Sequence, residues 1–467
     1  MSSLQRLLTQ KGENMNKQIK SLLAMTFISL LTITYVGCGQ TQNQSENQDE
    51  TQVETQAEQQ EESTNEFSPK YAADTEYRVS VVGSYSNFES LESTIDRFYE
   101  HYPNGEIEYT YLDDYRNTIG PALAGQEPPD IYVVQPWMYG DEQFAPLFDG
   151  AEILSDPELE INLDCIRPSI KWEMDDGEIL TLPVFATSYG MLVNMDIFEK
   201  EDLEVPTTFE ELKDVCGKLK EAGYESPLMG ANTTTTPGIG YAFSYPMFAK
   251  TVKDDRSIEE GLNNLEPSAG EAMRPSLERL QELVDSGCID VAKCSAEIED
   301  DYNSVILRFF EGDVPMMLCS GDVVSGTKKR EGQSEAFSSN PFNYDFYVAP
   351  SGDEGGYYMD SVSILFCVNK NSANLDMTNE FIRFLTSEEE LGLMAAEKRL
   401  ITPTKDYSLD EVYASLSDFP EERTVNFRDT EILDTAVKQY RAAAYAIVNG
   451  EMTVDEAVEN YGSIPTE

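Results

Sequence analysis

The sequence predicts an α/β protein, a mostly parallel sheet with covering helices. Three observations carry that expectation. Strand-like and helix-like stretches alternate from Tyr77 onward, the pattern of parallel strands joined by crossover helices. Apolar residues make up 40% of the 467, with 25 Tyr, 21 Phe and 16 Met, enough to bury a sizeable core. At about 100–200 residues per domain the length suggests two to four lobes, and no repeat of fixed period divides it.

Each element has a local reason. Tyr77 to Val82 alternates and stops at Gly83-Ser84, a strand. Ser90 to Tyr102 reads as a helix, since Leu91, Ile95, Phe98 and Tyr102 fall at helical spacing and Pro103 closes it. Glu106 to Tyr111 is a second strand and Tyr115 to Ala124 a helix. Pro128-Pro129 then precede a buried strand from Asp130 to Val134. Leu182 to Val184 and Met191 to Asn194 are strand-like. Helices are expected over 209–222, 276–286 and 302–310, with strands over 314–318, 346–349 and 361–368. One long amphipathic helix is expected over 377–393, and helices over 430–448 and 454–461 close the chain.

The N-terminus reads as a targeting segment. Lys17 and Lys20 precede a largely apolar run from Leu22 to Val36, too short for a comfortable ~20-residue span. A basic start, an apolar run and a small residue before the cut describe a signal peptide over 1–37, with Met15 the expected start. Gly37-Cys38 resembles the lipobox of bacterial lipoproteins, with Tyr35 where Leu is usual. That resemblance implies a lipidated Cys38, a membrane anchor and an extracytoplasmic location. Residues 38–74 then form the tether: 40–66 are rich in Gln, Glu, Thr, Ser and Asn, a composition that cannot offset its ordering entropy.

Charge and motifs narrow the function. With 86 Asp+Glu against 33 Lys+Arg, net −53, nucleic acid is not an expected partner. The single histidine, His101, rules out a zinc site or a hydrolase pairing that needs two. It falls in the last turn of its helix, where a cation suits the dipole. No G-x-G-x-x-G, G-x-S-x-G, C-x-x-C or calcium loop occurs, so no cofactor, metal or catalytic residue is assigned. Gly321-x-x-x-x-Gly326-Thr327-Lys328 has the wrong order for a P-loop. Of the seven cysteines, Cys288 and Cys294 are near enough in sequence to bridge; the alternative is isolated buried thiols.

Three ordered stretches carry a further resemblance. The first runs through Leu182-Pro183, Tyr189 to Glu199 with Asn194, Asp196 and Phe198, and Val205-Pro206-Thr-Thr-Phe209-Glu-Glu-Leu212. The second is Phe309-Phe310-Glu-Gly312-Asp-Val-Pro-Met316. The third is Asn379-Glu-Phe381-Ile-Arg-Phe384-Leu385-Thr-Ser387-Glu. Together they resemble the extracellular solute-binding proteins of ABC importers, especially the sugar-binding family 1. Phe209 stands where that family has Trp, and Ser320-Gly321-Asp322 where it often has G-x-W. The resemblance implies a two-lobed periplasmic-binding-protein type II fold with a hinge between lobes. Lobe 1 is then 75–187 plus 345–400, and lobe 2 is 188–344 plus 401–467. Crossings fall near 186–189, 343–347 and 398–403.

Ligands of open α/β sheets sit beyond the carboxyl ends of the strands. Candidate ligand-binding residues are therefore Ser84, Tyr85, Gln135, Trp137, Tyr189, Thr234, Tyr241, Ser320, Asp322, Asp360 and Ser361. Aromatic rings suit a sugar's C–H faces, and Ser, Gln and Asp suit its hydroxyls. Trp172 is read as packing. The expected protein is a monomeric, lipid-anchored receptor that delivers a neutral oligosaccharide to an ABC permease. The alternatives are a receptor for a cationic ligand such as a polyamine or peptide, held by Asp322 and Asp360, an extracellular glycoside hydrolase, and a surface scaffold.

Overall fold

The computed structural model describes residues 67–466, apart from 87, 175, 234–237, 300–301, 321–326, 388, 406–408 and 427–428. The signal, Cys38, most of the tether, Thr234 and Asp322 therefore lie outside the described residues.

β1 (Tyr77–Gly83) buries Val79 and Val81 and is followed by α1 (Glu89–His101). The α1 stripe Leu91, Ile95 and Phe98 packs inward, with Glu89 and Glu92 at its positive end and His101 at its negative end. β2 (Gly105–Tyr111), α2 (Tyr115–Leu123) and β3 (Ile131–Val134) complete the alternation. β1 is parallel to both β2 and β3. All four residues of β3 are buried, as expected for a strand covered on both faces.

β4 (Leu182–Thr187) belongs to the first sheet, and β5 (Tyr189–Asn194) begins the second after the single residue Ser188. α3 (Phe209–Glu221) starts from a capping box in which Thr208 and Glu211 satisfy each other's backbone N–H groups. β6 (Leu228–Gly230), α4 (Ile239–Asp254), α5 (Arg274–Asp285), α6 (Tyr302–Phe309), β7 (Met316–Ser320) and β8 (Tyr344–Tyr347) follow. The second sheet has the order β6-β7-β5-β8. A Cβ on Gly190 would sit 2.2 Å from the Tyr347 carbonyl, so glycine permits the close β5–β8 approach.

The chain then returns to β9 (Tyr358–Val368), antiparallel to β3 and β4. α7 (Leu375–Leu385), α8 (Glu390–Lys398), β10 (Thr424–Asn426), α9 (Asp434–Val448) and α10 (Val454–Glu459) complete it. The first sheet has the order β10-β9-β3-β1-β2, with β4 on β9. The architecture is α/β with two sheets. Ladders β1–β2, β1–β3, β6–β7 and β9–β10 are parallel, whereas β3–β9, β4–β9, β5–β7 and β5–β8 are antiparallel. The sheets are thus mixed rather than mostly parallel. Among the described residues no helix is long and apolar enough to cross a membrane.

Several sequence expectations need correction. The boundary at 344/345 cuts through β8, which pairs with β5 in the second sheet. Thr424–Asn426, assigned to the second lobe, adds a parallel strand to the first sheet. Strands of three or four residues carry too little periodicity to reveal their partners. The helix expected over 377–393 is two helices. The Thr386 hydroxyl bonds back to Ile382 and Arg383 carbonyls where the first one ends. α4 was not anticipated, because it is buried nearly all round and shows no amphipathic stripe. Cys288 lies close to Cys216 on α3, and each acts on the other's thiol, while Cys294 is a separate buried thiol; no disulfide joins the described cysteines.

The third sequence motif is structural. Glu380 is 1% exposed. It accepts from the Tyr102 hydroxyl at 2.5 Å and the Lys70 N–H at 2.9 Å, and pairs with Arg383 at 2.5 Å. Phe381 and Phe384 pack on Phe98 with centroids 5.2 and 5.3 Å away. Glu380→Ala would strand Arg383 and the Tyr102 hydroxyl. It should cost about 3–5 kcal/mol of stability, read as a fall in the midpoint of chemical denaturation, with Glu380→Gln milder.

Candidate ligand-binding cleft

A cavity of about 730 Å³ lies where elements of the two sheets face each other. One wall grows from the end of β3. Pro136 opens a short 3₁₀ turn, Pro136–Met138, that carries Trp137 to the cavity. The Trp137 indole N–H donates to the Gln135 side-chain oxygen, and the Gln135 amide donates to Ser84 Oγ at 3.4 Å. The Trp137 ring stands edge-on to Phe144 at 5.3 Å, with the Arg116 guanidinium over it at 5.0 Å. These contacts fix the ring before any ligand arrives. Tyr139 and Trp172, edge to face at 4.5 Å, extend the same wall.

The opposite wall belongs to β5, α4 and α9. Tyr241 and Tyr245, four apart on α4, stack with centroids 4.2 Å apart and planes 15° apart. Tyr189, first residue of β5, stands edge-on to Tyr241 at 5.1 Å. The Arg441 guanidinium, from α9, lies over the Tyr241 ring at 5.1 Å. A Cβ on Gly240 would come within 2.8 Å of Ala444 Cβ, so glycine lets α4 and α9 approach closely enough for that contact. Between the walls run Thr187 and the β9 residues Met359, Ser361 and Ser363, with residues 430–434 along one side. Thr187 Oγ1 is buried at the cavity without a hydrogen-bond partner.

Burial pushes the Tyr189 and Tyr245 phenols well above their ordinary range, and Tyr241 upward too. All three keep their O–H at neutral pH and offer both a donor and an acceptor. Burial pulls the Arg441 guanidinium down, but Tyr241 and Tyr189 outweigh it and the net shift is upward. Among the described residues no cluster of His, Cys, Asp and Glu could hold a metal. His101 packs edge-on against Phe67 at 5.0 Å, far in sequence and role from these walls.

Five candidates from the sequence line the cavity: Gln135, Trp137, Tyr189, Tyr241 and Ser361. Ser84 and Tyr85 stand behind it, Ser84 holding Gln135 and the Tyr85 hydroxyl 3.3 Å from Ser363 Oγ. Ser320 pairs with Tyr189 through its backbone, and its side chain, like Thr234 and Asp322, is outside the described residues. Asp360 requires correction. It does not line the cavity, although Met359, Ser361, Val362 and Ser363 of the same strand do. It is 4% exposed and bonded to Arg167 at 2.7 and 3.3 Å, to Tyr358 at 3.2 Å and to Ser169. Sequence reasoning missed Arg116, Tyr245 and Arg441. Tyr245 had a signal in its four-residue spacing from Tyr241, whereas Arg441 had none. Trp172, read as packing, is 2% exposed and also walls the cavity.

The sequence profile of the bacterial extracellular solute-binding proteins matches residues 93–421. The chain belongs to this family. No curated protein matches it. Solved structures of the same fold include a family 1 extracellular solute-binding protein from Bifidobacterium longum subsp. infantis. It is 17% identical with a TM-score of 0.59, over 82% of this chain and 97% of that one. A sugar transporter from Bacillus licheniformis in complex with stachyose is 15% identical with a TM-score of 0.57, over 83% and 100%. The GacH receptor of Streptomyces glaucescens, solved unliganded and with acarbose, is 17% identical with a TM-score of 0.61, over 83% and 97%. This solute-binding protein therefore has the two-lobed fold of periplasmic binding proteins, in a family that binds solutes outside the cell rather than transforming them.

Asp360→Asn separates scaffold from site. It removes the counter-charge of buried Arg167 and should cost about 3–5 kcal/mol of stability, seen as a lower melting temperature. Solute affinity of the protein that remains folded should change little, because the side chain is bonded to Arg167 and does not line the cavity.

Proposed function

We propose that this protein is the receptor of an ABC importer, capturing an oligosaccharide between its lobes and presenting it to the permease. The observation that supports this reading best is the cavity itself. Its volume of about 730 Å³ suits a small solute. Six aromatic side chains, Trp137, Tyr139, Trp172, Tyr189, Tyr241 and Tyr245, line it together with hydroxyls and an amide from both sides. Flat rings cover the C–H faces of pyranoses, and Gln135, Thr187, Ser361 and Ser363 satisfy hydroxyls that would otherwise be buried unpaired. Relatives of the same fold hold stachyose and acarbose. Closure of the lobes on the bound sugar then marks the loaded state for the permease.

A cationic solute fits less well. Asp360, one of the two carboxylates that would hold it, is consumed by Arg167. The cavity carboxylates Glu259, Glu431 and Asp434 already pair with Arg256 and Lys438. We place the lobes at 75–187 with 348–403, and at 188–347 with 434–467. The receptor acts as a monomer on the outer face of the membrane, tethered through lipidated Cys38.

Two measurements test this reading. In a melting-shift screen, an oligosaccharide should raise stability by about 2.7 kcal/mol at 100 times its dissociation constant, while polyamines, peptides and amino acids should not. The bound sugar should be recovered intact, and Trp137→Ala should weaken binding by about 1–3 kcal/mol. A hit confined to polyamines, or release of cleaved sugar, overturns the assignment. Separately, Cys38→Ala should move the protein from the membrane fraction to the medium; retention of the variant at the membrane would refute the lipid anchor.

A further inference from the structure

Most charges of the cavity are balanced within the protein. Asp434 pairs with Lys438 at 2.6 Å. Glu259 and Glu431 pair with Arg256 at 2.7 and 3.2 Å. Arg116 faces Asp141 at 3.5 Å, and Glu260 is exposed. Arg441 differs. It lines the cavity, yet among the described residues it makes no ion pair, and its Nε is buried without a hydrogen-bond partner. The Asp434 carboxylate, itself paired with Lys438, acts on it from a distance, and beside it stand the phenols of Tyr241, Tyr189 and Tyr245. Burial keeps these neutral, so none of them serves as a counter-ion.

A partly buried guanidinium with no carboxylate in direct contact leaves part of its desolvation cost uncompensated. The ring of Tyr241 offsets part of it through its quadrupole, but Nε–H among the guanidinium donors stays without a partner. Those donors form a planar fork that matches a carboxylate in two parallel hydrogen bonds, which a hydroxyl cannot match in charge or geometry. A carboxylate in direct contact with Arg441 would come from the solute.

We propose that the solute is an acidic saccharide, an oligosaccharide carrying a uronic acid unit, whose carboxylate is received by Arg441. This inference rests on the saccharide reading above and narrows it. The aromatic wall around Trp137 takes the sugar faces and the Arg441 end takes the charge. The chain's net charge of −53 does not oppose this. Exposed carboxylates act over about 8 Å at physiological salt, so they slow the approach of an anion more than they weaken its final contact.

The test is calorimetry of the full chain with matched pairs: galactotriose against trigalacturonate, and xylotriose against its glucuronic-acid-substituted form. The uronate of at least one pair should bind tenfold or more tighter than its neutral partner, with an affinity that falls as salt is raised. Arg441→Gln should abolish that preference, and Arg441→Lys, which keeps charge without the fork, should retain only part of it. The Lys variant and the wild-type preference keep the test decisive if the Gln variant does not fold. Neutral members binding as well as, or better than, the acidic ones overturn the inference and leave the sugar receptor standing. A uronate preference that survives Arg441→Gln also overturns it. If no saccharide of either kind binds, while a solute of another class does, the saccharide reading fails and this inference with it.

Discussion

One largely buried ion pair ties together distant stretches of the chain beside the first sheet. Arg167 and Asp360 join a first-lobe turn to the start of β9. The Arg167 guanidinium also donates to the Thr402 carbonyl, and its backbone N–H to the Pro403 carbonyl at 3.0 Å. Three distant stretches of chain therefore meet at one point. Desolvating two charges costs about what their attraction returns, so the gain is in geometry rather than in net stability. With Asp360 held by Arg167, its neighbours on β9, Met359, Ser361, Val362 and Ser363, line the cavity. The same strand pairs with β3, β4 and β10, so the position of the cavity floor is tied to the whole first sheet.

The other wall depends on close approach. Gly190 lets β8 lie against β5, and Gly240 lets α9 lie against α4. The second contact brings Arg441 over Tyr241 and continues into a ladder of rings, with Tyr245 5.6 Å from Tyr440 and Tyr440 stacked on Phe248 at 4.6 Å. Tyr440 in turn donates to Ser244 at 2.7 Å or Ser276 at 3.0 Å. Rings packed in this way lose little freedom when a solute arrives, which favours a pre-formed surface for flat sugar faces.

The segments that carry the family resemblance serve the scaffold. Asn194 caps a helix by accepting from Ile197 N–H. Phe209, in place of the usual Trp, is fully buried with Arg279 and Lys213 over its ring at 4.5 and 4.9 Å. Phe309 and Phe310 fill the core beside Phe342 and Tyr344, and Gly312 takes a φ of +87° that a side chain would strain. Among the described residues of these stretches only Tyr189 lines the cavity. The family is legible because its scaffold is shared; the solute is written in other residues.

The sequence by itself determined the α/β class, most of the elements and the family, because these rest on local periodicity, caps and ordered motifs. It also marked Trp137, since a residue just beyond a strand reaches the carboxyl end of its sheet. Tertiary structure alone decided the rest. α4 is apolar all round, so no stripe announces it. Asp360 and Ser361 are neighbours in sequence, but one is held in an ion pair and the other lines the cavity. Arg441 is an ordinary basic residue on a C-terminal helix until α4 packs against it. Whether a charge is paired, buried or left facing a cavity depends on what the fold brings to it from far along the chain, and no local pattern records that.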